Sequence, residues 1–278
     1  MRGEFIDVGG LRLYYYAAGT RGAGDPLILV HGFPTSGHLW GELVPLLPKG
    51  HRVVVVDLLG YGRSDSPGSA DLSIRGHAGR VIRLMDALNI ERAAVLGHHM
   101  GGAVAQSLAL NWPGRVSRLG LFDSTGFDVT LTGTCALVRA FLPFSNVVPS
   151  RLLLRAIQRD LSHRYCDPER GRRSLDLFLR PFLSPGGHRA FLRHLAAFDE
   201  SETQELAARL SEVTVPVAVA WGSEDAFAPA SLARRLHASL PGATLDIIDH
   251  VRHFTPEEAP ERIASNLGAQ VIGQVEPR

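Results

Sequence analysis

Short apolar runs recur along this chain, each stopping at a polar residue or a glycine, and they narrow the folds open to it. Pro26–Val30 runs into His31, Arg52–Val56 ends at Asp57, and Arg92–Leu96 ends at Gly97. A half-exposed strand alternates apolar and polar residues, whereas a continuous apolar run belongs to a strand covered on both faces. Leu119–Phe122, Val215–Ala220 and Thr244–Ile248 are further candidates, while Glu4–Val8 and Leu11–Ala17 flank Gly9-Gly10, a two-residue hairpin signal. Helical stretches fall between them, at Ser36–Leu47, Ser73–Leu88, Met100–Asn111, Ala230–Leu240 and Pro260–Ile272. This alternation predicts an α/β protein with a mostly parallel, eight-stranded sheet flanked by helices.

The rhythm breaks between Gly126 and Glu212. No convincing strand occurs there, and apolar residues recur at helical spacing: Leu152, Leu153, Ile157 and Leu161, then Leu175, Phe178, Leu179 and Phe182, then Phe191, Leu195 and Phe198. The expected organisation is a core made of residues 1–125 and 213–278, with residues 126–212 inserted after the sixth strand as a helical cap. That insertion holds 12 of the 28 arginines, but ten acidic residues are interspersed, as on the solvated faces of amphipathic helices.

Charge and composition remove other classes. Lys+Arg 29 against Asp+Glu 28 leaves a formal charge of +1, without the basic excess of a nucleic-acid binder. With 45% hydrophobic and 21% charged residues the chain has the balance of a globular protein, and its 278 residues can bury a core without disulfide or metal staples. Cys135 and Cys166 stand far apart and are expected to be free, buried thiols. The first residues lack the apolar core of a secretory signal, and no window approaches the ~20 apolar residues of a membrane span, so the expected location is the cytoplasm. The expected partner is a small-molecule substrate, with no nucleic acid and no membrane; a homodimer is left open. With no His-x-x-x-His or cysteine cluster, and no Gly-x-Gly-x-x-Gly after a strand, neither metal nor organic cofactor is implied.

Ligands of open parallel sheets bind beyond the C-terminal strand ends. Those ends carry His31-Gly32-Phe33-Pro34, Asp57, the segment Gly97–Gly102, Asp123, Asp225 and His250–Phe254. Together with Gly60-Tyr61-Gly62-Arg63-Ser64-Asp65, Trp221-Gly222-Ser223-Glu224-Asp225, His253-Phe254 and Glu258-Ala259-Pro260-Glu261, this order resembles the α/β-hydrolase fold superfamily, in its capped esterase, epoxide hydrolase and dehalogenase-like branch. The resemblance covers almost the whole chain.

The family's nucleophile elbow reads Gly-x-nucleophile-x-Gly at a tight strand-to-helix turn. Here the five residues are Gly97-His98-His99-Met100-Gly101, so the resemblance puts His99 where relatives usually carry Ser, Asp or Cys. Ser107 lies about two turns further on, roughly 12 Å along a helix, and cannot substitute. The resemblance further implies His253 as catalytic histidine, Asp225 as its orienting carboxylate, and the backbone N–H groups of Phe33 and Met100 as an oxyanion hole. Asp123 occupies the alternative acid position of some dehalogenase-like relatives. His31 is expected to shape the oxyanion loop, Asp57 to anchor its own loop, and His98 to pack beside the elbow. Trp40, Phe141, Phe144, Phe178, Phe182, Trp221 and Phe227 are candidates for an apolar substrate pocket.

Three functions fit this constellation. The first is hydrolysis of an ester, lactone or thioester, with His99 as nucleophile or with water attacking directly. The second is lyase, isomerase or cyclase chemistry, with His253 and Asp225 as general base and His99 as acid or proton relay. The third is a binding protein with an altered or inactive nucleophile position.

Overall fold

The computed structural model describes residues 3–19, 24–127, 131, 133–142 and 149–270. Eight strands form one sheet: β1 (Glu4–Asp7), β2 (Arg12–Ala18), β3 (Leu27–Val30), β4 (Val53–Val56), β5 (Ala93–His98), β6 (Val116–Phe122), β7 (Val217–Gly222) and β8 (Thr244–Ile248). Their spatial order is β1-β2-β4-β3-β5-β6-β7-β8, antiparallel at β1–β2 and β2–β4 and parallel from β4 onward. The apolar runs read from the sequence are the central strands, and β3, β4, β5 and β7 are buried at every position. The hairpin between β1 and β2 closes on Asp7, whose Oδ1 accepts from the N–H groups of Gly9 and Gly10.

Register is what gathers the strand ends. Val30 pairs with Val56 on one side and Gly97 on the other, His98 with Phe122, Phe122 with Ala220, and Gly222 with Ile248. The residues just beyond these pairs, from His31 through Asp57, His99 and Asp123 to Asp225 and His253, therefore leave one edge of the sheet together.

The core helices are α1 (Ile74–Ala87) and α2 (Met100–Asn111). Beyond β6, five helices follow: α3 (Gly133–Ala140), α4 (Ser150–Ser162), α5 (Pro168–Leu179), α6 (Gly187–Ala196) and α7 (Glu200–Arg209). The chain then returns to the sheet and adds α8 (Ala230–Ser239), α9 (Thr255–Glu258) and α10 (Pro260–Gln270). Among the described residues no strand interrupts the segment between β6 and β7, in keeping with its helical periodicity. One expected helix differs. Ser36–Leu47 forms two 3₁₀ turns, Gly37–Trp40 and Val44–Leu46, because Pro45 lacks the N–H an α-helix would need at its interior. No helix among the described residues is long and apolar enough to cross a membrane.

Candidate active site

The turn from β5 into α2 is built by glycines. A Cβ at Gly97 would come 2.3 Å from the carbonyl oxygen of Gly101, and one at Gly101 would come 2.2 Å from that of Val30. Neither position tolerates a side chain without moving backbone. The turn forces His99 to φ 52° and ψ −123°, a conformation that costs an L-residue about 1–3 kcal/mol. Its backbone is secured: the His99 N–H donates to Phe122, and its carbonyl accepts from Gly102 N–H, Thr125 N–H and the Thr125 hydroxyl. Strain held in place by this many bonds puts the imidazole at the tip of the turn.

His253 approaches from the loop after β8. Its Nδ1–H donates to Asp225 Oδ2 at 2.7 Å, and both side chains are buried. The second carboxylate oxygen, Oδ1, accepts from the N–H groups of Phe227 and Ala228, at 2.8 and 2.9 Å, so the carboxylate cannot rotate freely. The His99 and His253 rings meet edge to face, with centroids 5.2 Å apart and planes at 87°. Phe227 packs 5.0 Å from each of them. Burial, with His253 and His98 nearby, holds the His99 imidazole well below the usual histidine range, so it is neutral near pH 7. Its Nδ1 is buried without a hydrogen-bond partner.

Gly32 lies against the elbow: a Cβ there would be 2.7 Å from the His99 Cβ and 2.9 Å from Met100 N. That approach sets the loop bearing Phe33 beside the first N–H of α2, one of the donors a helix start leaves free. His31 keeps the loop in shape, its Nδ1–H donating to the Gly32 carbonyl and its Nε2 accepting from Leu58 N–H. Asp57 anchors its surroundings by accepting from Gly37 and Arg63 N–H. His98 packs beside the elbow, its ring 5.0 Å from that of His253 and its Nε2–H donating to the His253 carbonyl at 2.8 Å. Asp123 is wholly buried and accepts from Gly222 N–H, Thr255 N–H and the Thr255 hydroxyl. Burial and the nearby Asp225 raise its carboxyl well above the usual range.

His99 and His253 border a cavity of about 20 Å³, together with Phe33, Leu131, Phe227 and Phe254. Of the expected pocket aromatics, Phe227 is there. The other described ones lie elsewhere, for identifiable reasons. Trp40 packs on Phe122 inside the core, Trp221 donates its indole N–H to the Ala228 carbonyl, and Phe178 and Phe182 are buried among the helices of the β6–β7 segment. Phe141 is exposed at the surface, and Phe144 falls outside the described residues. Cys135 also borders the cavity, and burial pushes its thiol up to about 12, far from a thiolate nucleophile. Cys166 is exposed, in contrast to the buried thiol expected of it, because it sits in the loop between α4 and α5. Sequence reasoning missed Leu131 and Arg164, both of which border the cavity; no motif marks either. Among the described residues no group of three or more His, Cys, Asp or Glu is placed to hold a metal ion.

Sheet order, glycine elbow and strand-end residues define an α/β hydrolase, and the chain belongs to the alpha/beta hydrolase fold family, whose model matches residues 25–167. Its relatives include hydrolases of small substrates. A 2-hydroxymuconate semialdehyde hydrolase from Pseudomonas sp. (strain CF600) is 29% identical over 253 residues, spanning 89% of this chain and 87% of its own. A 2-hydroxy-6-oxononadienedioate/2-hydroxy-6-oxononatrienedioate hydrolase from Cupriavidus pinatubonensis is 30% identical over 248 residues, spanning 85% and 83%. The crystal structure of an alpha/beta hydrolase fold protein from Burkholderia ambifaria matches with a TM-score of 0.85 at 26% identity, covering 96% of this chain and 99% of that one.

Proposed function

We propose that this protein is a cofactor-independent hydrolase of a small, largely apolar carbonyl compound (an ester, lactone or thioester), with water activated by His253 and with residues 126–212 acting as a cap. The observation that carries this reading is the 2.7 Å bond from His253 Nδ1 to the buried Asp225, with the neutral His99 ring standing 5.2 Å away. A carboxylate on Nδ1 keeps the proton there and leaves the Nε2 lone pair to take a proton from water. The oxygen of that water adds to the carbonyl carbon, and the resulting oxyanion is met by the N–H groups of Met100 and Phe33. Collapse expels the alkoxide or thiolate, which takes its proton back from His253.

His99 serves this route as a hydrogen-bond donor that orients the carbonyl. Its Nδ1 has no acceptor within reach, which favours the tautomer with the proton on Nε2. Direct attack by His99 is disfavoured chemically: imidazole leaves a tetrahedral intermediate more readily than an alkoxide does, so addition to an unactivated ester reverses. The apolar walls supplied by Phe33, Phe227 and Phe254 support an apolar substrate. The two named relatives support the carbonyl class, since their substrate names contain a semialdehyde and oxo groups.

The test is steady-state hydrolysis of short-chain alkyl esters and lactones, coupled to intact-mass analysis during turnover. Turnover by the parent, a loss of at least about 100-fold in His253→Ala, and no mass addition to the chain are the expected results. An acyl adduct on His99 would overturn the water route. Unchanged turnover in His253→Ala would overturn the whole assignment.

A further inference from the structure

A second buried polar cluster lies beside the His99 cavity and is not used by the chemistry above. Tyr61 comes from the loop after β4, His77 from α1 and His194 from α6. The Tyr61 ring lies 3.9 Å from that of His194 and 6.2 Å from that of His77, and the two imidazoles are nearly parallel at 6.4 Å. Both ring nitrogens of His77 and the hydroxyl of Tyr61 are buried without a hydrogen-bond partner. Each such atom forfeits its bonds to water, and several in one place is unusual for a folded protein.

Tyr61 and His194 border a cavity of about 20 Å³ that also reaches Met100. It shares Phe33 and Leu131 as walls with the cavity at His99, and it has room for one hydroxyl-sized group. Its remaining ionisable neighbours are Asp199 and Glu202, and among the described residues no arginine or lysine borders it. Glu202 accepts from the N–H groups of Ile74 and Arg75 at the start of α1. Burial keeps His77 neutral and pushes His194 down to about 3. A carboxylate placed here would face two acids, with Arg139, over the Phe198 ring and already offsetting Asp199, as the neighbouring cation outside the lining, and a methyl group would leave the phenol and imidazoles unmet. A hydroxyl both donates and accepts, which a phenol and a neutral imidazole can answer.

We infer that Tyr61 and His194, backed by His77, form a hydroxyl-binding subsite for the far end of the substrate, so that the preferred substrates are uncharged carbonyl compounds bearing a hydroxyl beyond the reacting carbon. The inference rests on the reading of His99 and His253, in the neighbouring cavity, as the reacting site. It departs from the dicarboxylate named for the Cupriavidus relative.

The test compares kcat/KM for p-nitrophenyl esters of matched acyl chains, from butanoyl to octanoyl, ending in methyl, hydroxymethyl or carboxylate. The hydroxy ester is expected to exceed the alkyl ester by about tenfold at the best length, with the carboxylate poorest, and Tyr61→Phe is expected to bring the hydroxy-to-alkyl ratio near one. Equal values for hydroxy and alkyl esters at every length, or a preference for the carboxylate, would overturn the inference. Calorimetry with heptan-2-one and 7-hydroxyheptan-2-one, which cannot be hydrolysed, separates the two readings. Tighter binding of the hydroxyketone without ester turnover supports the subsite while rejecting the hydrolase; equal binding, or none by either ketone, rejects the subsite.

Discussion

The backbone N–H of His253 donates to the carbonyl oxygen of Arg164, 3.2 Å away, so the proposed base hangs from the loop between α4 and α5. Neighbouring contacts reinforce that joint. Arg252 donates to the carbonyls of His163 and Tyr165, Tyr165 stacks on Phe254 with ring centroids 4.1 Å apart, and Cys166 N–H donates to Glu258. Movement of this loop therefore moves His253 relative to Asp225, and the joint offers a handle on the site from outside it.

Arg252→Ala removes the guanidinium from both carbonyls without touching the His253 side chain. We expect kcat to fall several-fold with little change in KM, and stability to drop by about 1 kcal/mol. Kinetics and urea unfolding on the same preparation check this. A stability loss with unchanged kcat would show that the joint braces the fold without positioning His253.

Asp225→Asn is expected to lower kcat by roughly 10²–10⁴-fold while preserving the fold. Phe227 and Ala228 N–H hold one oxygen of the side chain, so an asparagine keeps its oxygen there and turns its NH₂ toward His253. Nδ1 must then accept, and the proton moves to Nε2, where the base needs a lone pair. A ring-nitrogen NMR spectrum of the variant checks the tautomer directly.

Acid should destabilise this protein early. Burial depresses six histidines in the folded state, the deeply buried His31, His77, His98, His99 and His194 and the less buried His188. Their unfolded counterparts take up protons below about pH 6.5 while the folded ones do not. Stability is thus fully present above that pH and falls as pH drops, by at most about 1.4 kcal/mol per pH unit for each histidine. Urea midpoints between pH 8 and pH 4 should show this limb, with a shallower slope in His77→Phe. A flat profile from pH 7 to pH 5 would contradict it.

Gly101→Ala and Gly114→Ala make a matched pair. A Cβ at Gly101 collides with backbone of β3, and we expect a loss of several kcal/mol or failure to fold. At Gly114 nothing lies within 4 Å, and the substitution should change stability by no more than about 0.5 kcal/mol. Thermal unfolding of both variants against the parent is sufficient.

Much of this molecule was legible from its residues alone. Apolar runs such as Leu27–Val30 and Val53–Val56, short, rich in branched residues and ended by turn signals, read as strands buried on both faces. Gly97 and Gly101 around His99 announce the tight turn, because only glycine admits the close backbone approaches there. The helical content between β6 and β7 was likewise written in its periodicity.

Distances between elements remote in sequence were not. Whether Trp40 or Phe227 faces the cavity depends on how separate elements pack, and an aromatic residue fits either a core or a pocket equally well by composition. The Arg164–His253 bond joins a main-chain carbonyl to a main-chain N–H, groups that every residue around them also carries, so no motif records it. The gathering of Tyr61, His77 and His194 required the loop after β4, helix α1 and helix α6 to converge. Local sequence determines which elements form and which side chains they bury, because those choices rest on short-range sterics and on hydrophobic periodicity. Tertiary packing alone decided which polar groups were left facing one another, because that depends on contacts between separate elements of the chain, from 16 residues apart for Tyr61 and His77 to 133 for Tyr61 and His194.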